Sequence, residues 1–485
     1  MSSHSDSQAP NPSTSRLSKK EEPVSNFPED FKWGAATASY QIEGGTELDG
    51  RGVSIWDTFA ATPGNVVNQE NGSVACDHYH RYAEDFKLMT ELGIQTYRFS
   101  FAWPRVFPAG DSVREQRGFD FYDRLVDSML EHGIEPMATA YHWDLPQTLQ
   151  DKGGWANRDT AYRLSDYTAA LVEAFGDRIN NWLTLNEPWC FSWLGYANGV
   201  HAPGVKNLDH AIAAAHHSSL AHGLASRAMK AVNGNIRTGI ALNMTNYRIE
   251  DPNDPDLAEL GGLLDSHINR WWLDGIVHGA YPQNLVDLYG DKLQKLVLPG
   301  DMDIVKVETD VVGINYYSDS FVGLPRATDK PMSEGGLFPF PQRSNGETPA
   351  PHTDMGWPIT PEGLHDLPLR IARDWPEIKE LAVTENGAAY PEGPDENGDV
   401  VDNRRVEYLT SHIEALGRAV AEGAPVKSYF AWSFMDNYEW AEGYAKRFGI
   451  VHVDFETQVR TPKDSAKAYA SIIANQGDFT SLIKS

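Results

Sequence analysis

Apolar, β-branched and aromatic residues recur along the chain in eight short runs. They are FKWGAATASY (31–40), QTYRFSFAW (95–103), EPMATAYHW (135–143), NNWLTLNEP (180–188), IRTGIALNM (236–244), TDVVGINYY (309–317), ELAVTENG (380–387) and VKSYFAWSF (426–434). Runs of this length and composition predict buried β-strands. Between them lie amphipathic stretches such as YHRYAEDFKLMTELG (79–93) and RLSDYTAALVEAFGD (163–177). In the second, Leu164, Tyr167, Ala170, Leu171 and Phe175 share one face at helical spacing, and Gly93 and Gly176 stand where the two helices should stop. Strand alternating with helix predicts a parallel sheet, and eight repeats predict a single closed (β/α)8 TIM barrel. The chain is long for that fold, so extended βα loops are expected, with residues 323–358 the clearest.

Composition narrows the partners. The chain has 485 residues and is 41% hydrophobic, enough for a large core. Its net charge of −27 repels nucleic acid and anionic membrane surfaces, so neither is expected as a partner. It is compatible with a homo-oligomer. No run of eighteen apolar residues predicts a membrane span. Residues 1–26 are polar and rich in Ser and Pro, without the apolar centre of a signal peptide. They are expected to be a weakly ordered tail before one domain, 27–485, and the location expected is cytoplasmic. Cys76 and Cys190 are read as buried thiols, with Cys190 close enough to Glu187 in sequence to line a site.

In a (β/α)8 barrel the chemistry sits at the C-terminal ends of the strands. Those ends carry Arg98, His142, Asn186, Glu187, Asn315, Tyr317, Glu385, Asn386 and Trp432, with Glu439 and Trp440 just beyond the last. One polar residue there merely marks where a strand meets water; most of the strands ending so is a pattern. Glu187 and Glu385 end the fourth and seventh strands, across the barrel mouth from each other. Glycosidic bond cleavage needs such a pair, one carboxyl to protonate the leaving oxygen and one to attack or activate water. Trp143, Trp189, Trp193, Trp432 and Trp440 gather near the same ends, and aromatic faces suit the C–H faces of sugars. Trp182 reads as core. His216, His217 and His222 lack a metal-binding spacing, and no Gly-rich phosphate loop is evident, so no cofactor is expected.

TLNEP (184–188) and VTENG (383–387) resemble the two signatures of glycoside hydrolase family 1. FKWGAATASYQIEG (31–44), YRFSFAWPR (97–105), YHWDLPQ (141–147), GINYYS (313–318) and WSFMDNYEWAEGYAKRFGIVHVD (432–454) resemble its other motifs, in family order, from about residue 26 onward. The resemblance implies a retaining β-glycosidase acting on a small β-glycoside, with Glu187 as general acid/base and Glu385 as nucleophile. It implies that Arg98 and Tyr317 support Glu385, and that Asn186 meets the sugar 2-OH. Gln41, His142, Glu439 and Trp440 would hold the remaining hydroxyls, Trp432 would lie beneath the ring, and Trp357 would meet the leaving group. Trp143, Asn315 and Phe448 complete the expected substrate-binding set. Glu187 should be protonated in the free enzyme, and the two carboxyls should stand about 5–5.5 Å apart. β-Glucosides are the expected substrates, with side activity on β-galactosides or β-fucosides and some transglycosylation. The alternatives are a 6-phospho-β-glycosidase and a barrel that binds sugar without chemistry. Family members for phosphorylated sugars carry Ser, Lys and Tyr where this chain has Glu439, Lys446 and Phe448.

Overall fold

Each of the eight apolar runs forms a strand in the computed structural model, which describes residues 27–477 apart from 332, 333, 335, 337, 342–347 and 349. The strands are β1 (Lys32–Ala36), β2 (Thr96–Ser100), β3 (Glu135–Tyr141), β4 (Asn181–Asn186), β5 (Arg237–Asn243), β6 (Val311–Asn315), β7 (Leu381–Asn386) and β8 (Val426–Trp432). All pair in parallel in sequence order, and β8 closes on β1. The expected tail, residues 1–26, lies outside the described residues. Every residue of β2, β4, β6 and β7 is buried. Helices cover one face and the barrel interior the other, which is why these strands read as continuous apolar runs rather than alternating ones.

Helices from the crossovers, and one after β8, form the layer outside the sheet, among them α1 (His78–Glu91), α2 (Gln116–Glu131), α3 (Asp159–Phe175), α4 (Leu208–Val232), α5 (Trp271–His278), α6 (Glu362–Asp374), α7 (Asn403–Ala421) and α8 (Asp464–Ala474). The apolar face expected on α3 is buried, but the helix begins earlier than the amphipathic pattern does. The Asn157 side chain accepts the Asp159 N–H at 3.0 Å and starts it there. The two expected stops differ. Gly93 follows α1 with φ +75°, the left-handed turn that glycine makes at low cost. Gly176 keeps φ −71° and donates to the Val172 carbonyl at 2.8 Å; an added Cβ would stand 2.6 Å from that oxygen, so closeness rather than conformation favours glycine there.

Trp182 is core, as its strand position suggests. It is fully buried, stacks on Phe101 at 5.9 Å and donates to the Ile179 carbonyl at 2.9 Å. Truncating it to alanine is expected to cost about 3–5 kcal/mol.

The ladders are least regular where they reach the mouth. Register shifts fall between Leu183 and Asn186 on β4, between Ile314 and Asn315 on β6, and between Tyr429 and Ala431 on β8. Such shifts re-aim the residues that follow them. One further shift, between Val426 and Ser428, lies at the opposite end.

Candidate active site

Arg98 organises the mouth. It rises from β2, is fully buried, and spans the barrel interior. Its Nη1 donates to Glu385 Oε1 at 2.7 Å and to the Thr384 carbonyl at 3.1 Å; its Nη2 donates to Asn186 Oδ1 at 2.6 Å. The Tyr317 hydroxyl donates to the other oxygen of Glu385 at 2.6 Å. Asn315, at the end of β6, is oriented by Thr384, whose hydroxyl donates to its Oδ1 at 2.6 Å. Its Nδ2 then donates to Glu187 Oε1 at 2.8 Å and to Asn186 Oδ1 at 3.0 Å, and its amide also favours the ionised form of Glu385. One amide therefore serves both carboxylates.

The two carboxyls are held differently. Burial raises the pKa of both. On Glu385 the Arg98 charge and the Tyr317 hydroxyl pull back against it. Glu187 has no ion pair with a cation; burial, then the charge of Glu385, pushes it up to about 8. Of the pair, Glu187 holds the proton near neutral pH. Glu187 also has φ +47°, a left-handed conformation that costs a non-glycine residue strain. Pro188 follows it, so the chain cannot continue β4 and turns the carboxyl into the mouth.

The cavity around this pair measures about 420 Å³. His142, Trp143, Asn186, Glu187, Asn315, Tyr317, Trp357, Glu385, Trp432, Glu439, Trp440 and Phe448 all line it. His142 accepts the Asn186 amide at its Nε2, 3.0 Å away, which leaves its buried Nδ1 without a protein partner. Burial, then the nearby Arg98, keeps this imidazole well below its ordinary pKa and so neutral. The Trp143 indole donates to the Asn186 carbonyl at 3.0 Å, and its ring lies 4.6 Å from that of Trp440. Trp432 stacks on His142 at 5.8 Å. Trp357, half-buried on the long loop, lies 5.1 Å from Tyr317, and Phe448 lies 6.0 Å from both rings.

Gln41 joins this wall through Glu439. Its amide donates to the Tyr438 carbonyl at 2.9 Å, to Asn437 Oδ1 at 3.1 Å and to Glu439 Oε2 at 3.2 Å, leaving its own buried Oε1 unpartnered. Glu439 is pushed well above the usual carboxylate range by burial and then by the charges of Glu385 and Glu187. Asn386, though it ends β7, is fully buried among Tyr316, Tyr408 and Tyr429 and does not reach the cavity. Trp193 packs away from it on His267 at 4.4 Å.

Sequence reasoning missed several lining groups. His201 is half-buried beside Trp56 and Trp143, and its Nδ1 has no partner. It comes from a loop and carries no strand-end signal. Asn243, with an unpartnered buried Oδ1, ends β5 and was readable by the same rule as the others. Met244, Phe338 and Met355 add apolar surface. Cys190 lines the cavity next to Glu187, and both cysteines are free buried thiols.

Among the described residues no three His, Cys, Asp or Glu are grouped to hold a metal. His216 is taken up by Asp301 and Tyr281, His217 by the Trp155 carbonyl, and His222 by Thr184. The described residues also include no helix long and apolar enough to cross a membrane.

Comparison with known proteins bears on this geometry. The sequence profile of glycosyl hydrolase family 1 matches residues 24–478. Beta-glucosidase A of Acetivibrio thermocellus is 44% identical over 454 residues, covering 93% of this chain and 99% of that protein. A bifunctional beta-D-glucosidase/beta-D-fucosidase of Bifidobacterium breve is 43% identical over 470 residues, covering 93% and 98%. The structure of a beta-glucosidase from Thermotoga maritima in complex with glucoimidazole aligns with a TM-score of 0.87 at 42% identity, over 94% of this chain and all of that one.

Proposed function

The chain belongs to glycosyl hydrolase family 1, and from that premise we propose that it is a retaining, exo-acting β-glucosidase. The observation that carries the assignment of roles is the asymmetry of the two carboxyls. Glu385, paired with Arg98 and Tyr317, is the ionised nucleophile. Glu187, held by the Asn315 amide, is the proton donor. In the first step Glu385 attacks the anomeric carbon while Glu187 protonates the departing oxygen. Once Glu385 is esterified its charge is gone, the repulsion that raises Glu187 is relieved, and Glu187 deprotonates water for the second step. Asn315, bonded to Glu187 and favouring the ionised form of Glu385, is a neighbour the two carboxyls share, in keeping with the close spacing that direct attack requires.

The glycone is proposed to occupy the end of the cavity formed by His142, Trp143, Trp432, Glu439 and Trp440. The unpartnered Nδ1 of His142 and Oε1 of Gln41 lie among these groups, where buried polar atoms call for partners. The leaving group then lies toward Trp357, Met244 and Phe338, a largely apolar surface that suits aryl and alkyl groups as well as the second sugar of cellobiose. β-Fucosides and β-galactosides are proposed as slower substrates, with transglycosylation as a side reaction. A 6-phosphorylated glycone is disfavoured. Glu439 would repel the phosphate, and Lys446 is occupied by the Asp354 carbonyl at 2.7 Å. We read the barrel and its loops as one catalytic domain. We place it in the cytoplasm because two free buried thiols suit a reducing compartment, which cell fractionation checks.

Activity on a panel of aryl β-glucosides, β-galactosides, β-fucosides, β-mannosides and 6-phospho-β-glucosides tests the proposal. The glucoside should have the highest kcat/KM. Preference for the mannoside or the phosphorylated sugar would refute the reading.

A further inference from the structure

The loop that carries Glu439 and Trp440 is tied at its neck by a buried ion cluster that lies outside the cavity. After β8 the chain runs out through 433–436 and returns through 449–451. Backbone bonds join the two stretches: Ile450 N–H to Ser433 at 2.9 Å, Val451 N–H to Phe434 at 2.9 Å and Asp436 N–H to Val451 at 2.9 Å. Between them hangs the segment with Glu439, Trp440 and Lys446. The fully buried carboxylate of Asp436 closes this neck. It accepts the Gly449 N–H at 3.0 Å, Arg447 Nη1 at 2.8 Å and Lys463 Nζ at 2.8 Å. An added Cβ at Gly449 would stand 2.0 Å from the Asp436 nitrogen, so the approach is as close as a backbone allows.

Lys463 is remote in sequence, at the start of α8, and wholly buried. Its own N–H donates to the Ile450 carbonyl at 3.0 Å, so backbone and side chain both grip the neck. On the far side the neck meets the cavity wall directly. Asn437 Nδ2 donates to Ser433 Oγ at 3.0 Å, and Gln41 Nε2 bridges Asn437, Tyr438 and Glu439.

We propose that Lys463 is a positioning residue for sugar recognition: through Asp436 it fixes the loop that sets Glu439 and Trp440 against the glycone hydroxyls at C4 and C6. This rests on the β-glucosidase reading given above. The reaction centre is anchored separately, on β2, β4, β6 and β7, so loosening the neck weakens hydroxyl recognition without removing the nucleophile or the acid.

The cluster is also sensitive to pH. Burial opposes charge on Asp436, but Lys463 and Arg447 outweigh it and hold the carboxyl below its ordinary value. Burial lowers the Lys463 amine to about 8 in spite of Asp436. The other charged or titratable groups facing Lys463 are Arg405 and Asp402, which pair with each other at the start of α7, and His452 on the return strand, kept below its ordinary pKa mainly by burial. Above about pH 8 Lys463 loses its charge and Asp436 loses one of its two direct ion pairs, so hydroxyl recognition should weaken as pH rises.

The test is the ratio of kcat/KM for p-nitrophenyl β-glucoside to that for its 4-deoxy analogue, followed from pH 6 to 9.5. Titration of Glu187 and Glu385 affects both substrates and cancels. Ionisation of Glu439 would strengthen hydroxyl binding and move the ratio upward. In the wild-type protein the ratio should be about tenfold at pH 7, the scale of one hydrogen bond, and should fall severalfold by pH 9. Lys463→Met should give the low ratio at every pH, chiefly through KM for the glucoside. Lys463→Arg should keep the high ratio and abolish its decline. A wild-type ratio that does not fall with pH overturns the inference. So does a Lys463→Met variant that slows both substrates equally, the result of a merely structural role. If Lys463→Met does not fold, the wild-type profile and Lys463→Arg decide. Absence of any β-glucoside turnover by the wild type would instead remove the reading on which the inference rests.

Discussion

The two ends of the barrel are built from the same strands and obey different rules. At the N-terminal end lie two open hollows of about 620 and 590 Å³, both larger than the cavity at the mouth. Opposite charges meet around them: Lys32 with Glu135 at 3.3 Å, Arg237 with Glu380 at 2.8 Å and Lys230 with Asp310 at 2.7 Å. At the mouth three carboxyls, Glu187, Glu385 and Glu439, are crowded together, and only Glu385 has an ion pair. Polar atoms of Gln41, His142, His201 and Asn243 are buried without partners, and Trp143, Glu187 and Trp440 have positive φ. Size does not distinguish a site from a surface hollow. Unrelieved electrostatics and strained backbone do, because natural sequences leave such conflicts where function requires them.

The contrast predicts opposite trade-offs, and the largest effect should come from the nucleophile. Glu385→Ala is expected to lower kcat by about four orders of magnitude or more, since no glycosyl-enzyme can form. Its melting temperature should fall, because the fully buried Arg98 is left without its counter-charge. Glu439, crowded by two carboxyls, should show the opposite sign: Glu439→Gln should match or exceed the wild type in melting temperature, and a large loss of stability there would break the comparison.

Glu187→Ala should follow, and selectively. Alkyl β-glucosides, whose leaving groups need a proton, should lose about two to four orders in kcat/KM, while dinitrophenyl β-glucoside should lose far less. Azide should restore turnover and yield a β-glucosyl azide. Equal losses on both substrates would take the acid role from Glu187.

Next comes the discrimination against charge at Glu439. The β-glucoside should exceed its 6-phosphate in kcat/KM by at least about two orders of magnitude, the scale of a few kcal/mol of repulsion. Glu439→Gln should narrow that gap. Comparable turnover of the phosphate by the wild type would show that Glu439 does not face C6.

The pH profile sharpens the same picture. With Glu187 as the proposed acid, kcat/KM for alkyl glucosides should fall about tenfold per pH unit above its pKa of about 8. Glu385 must be ionised, and its raised pKa places the acid limb above the ordinary carboxylate range. With Glu187→Gln and an activated aryl glucoside the tenfold-per-unit alkaline fall should vanish, leaving the severalfold decline attributed to Lys463, while the acid limb stays. The smallest effect is expected at the other end. Lys32→Ala, removing a half-exposed ion pair, should cost under about 1 kcal/mol and leave kcat/KM unchanged.

The sequence was most legible where packing dictates it. All eight strands could be read from apolar runs because both faces are buried, and the polar residues at their ends, Asn186, Asn315 and Glu385 among them, meet in space as a closed barrel requires. Strand ends alone did not separate site from scaffold. Asn386 reads like Asn186 yet is absorbed by three tyrosines, because Glu385 before it faces the mouth and strand alternation turns the next side chain to the other face. Loop-borne groups such as His201 and Phe338 left no periodic signal, since loop conformation is set by contacts distant in sequence. The role of Gln41 was assigned by resemblance, and only the structure shows its bond to Glu439.

The account stands most directly on which carboxyl becomes esterified. Incubation with an activated 2-deoxy-2-fluoro-β-glucoside, in which fluorine slows the second step more than the first, should accumulate the intermediate. Peptide mass spectrometry should then find one fluoroglucosyl group, attached to Glu385. A label on Glu187, or inactivation without any covalent sugar, would contradict it.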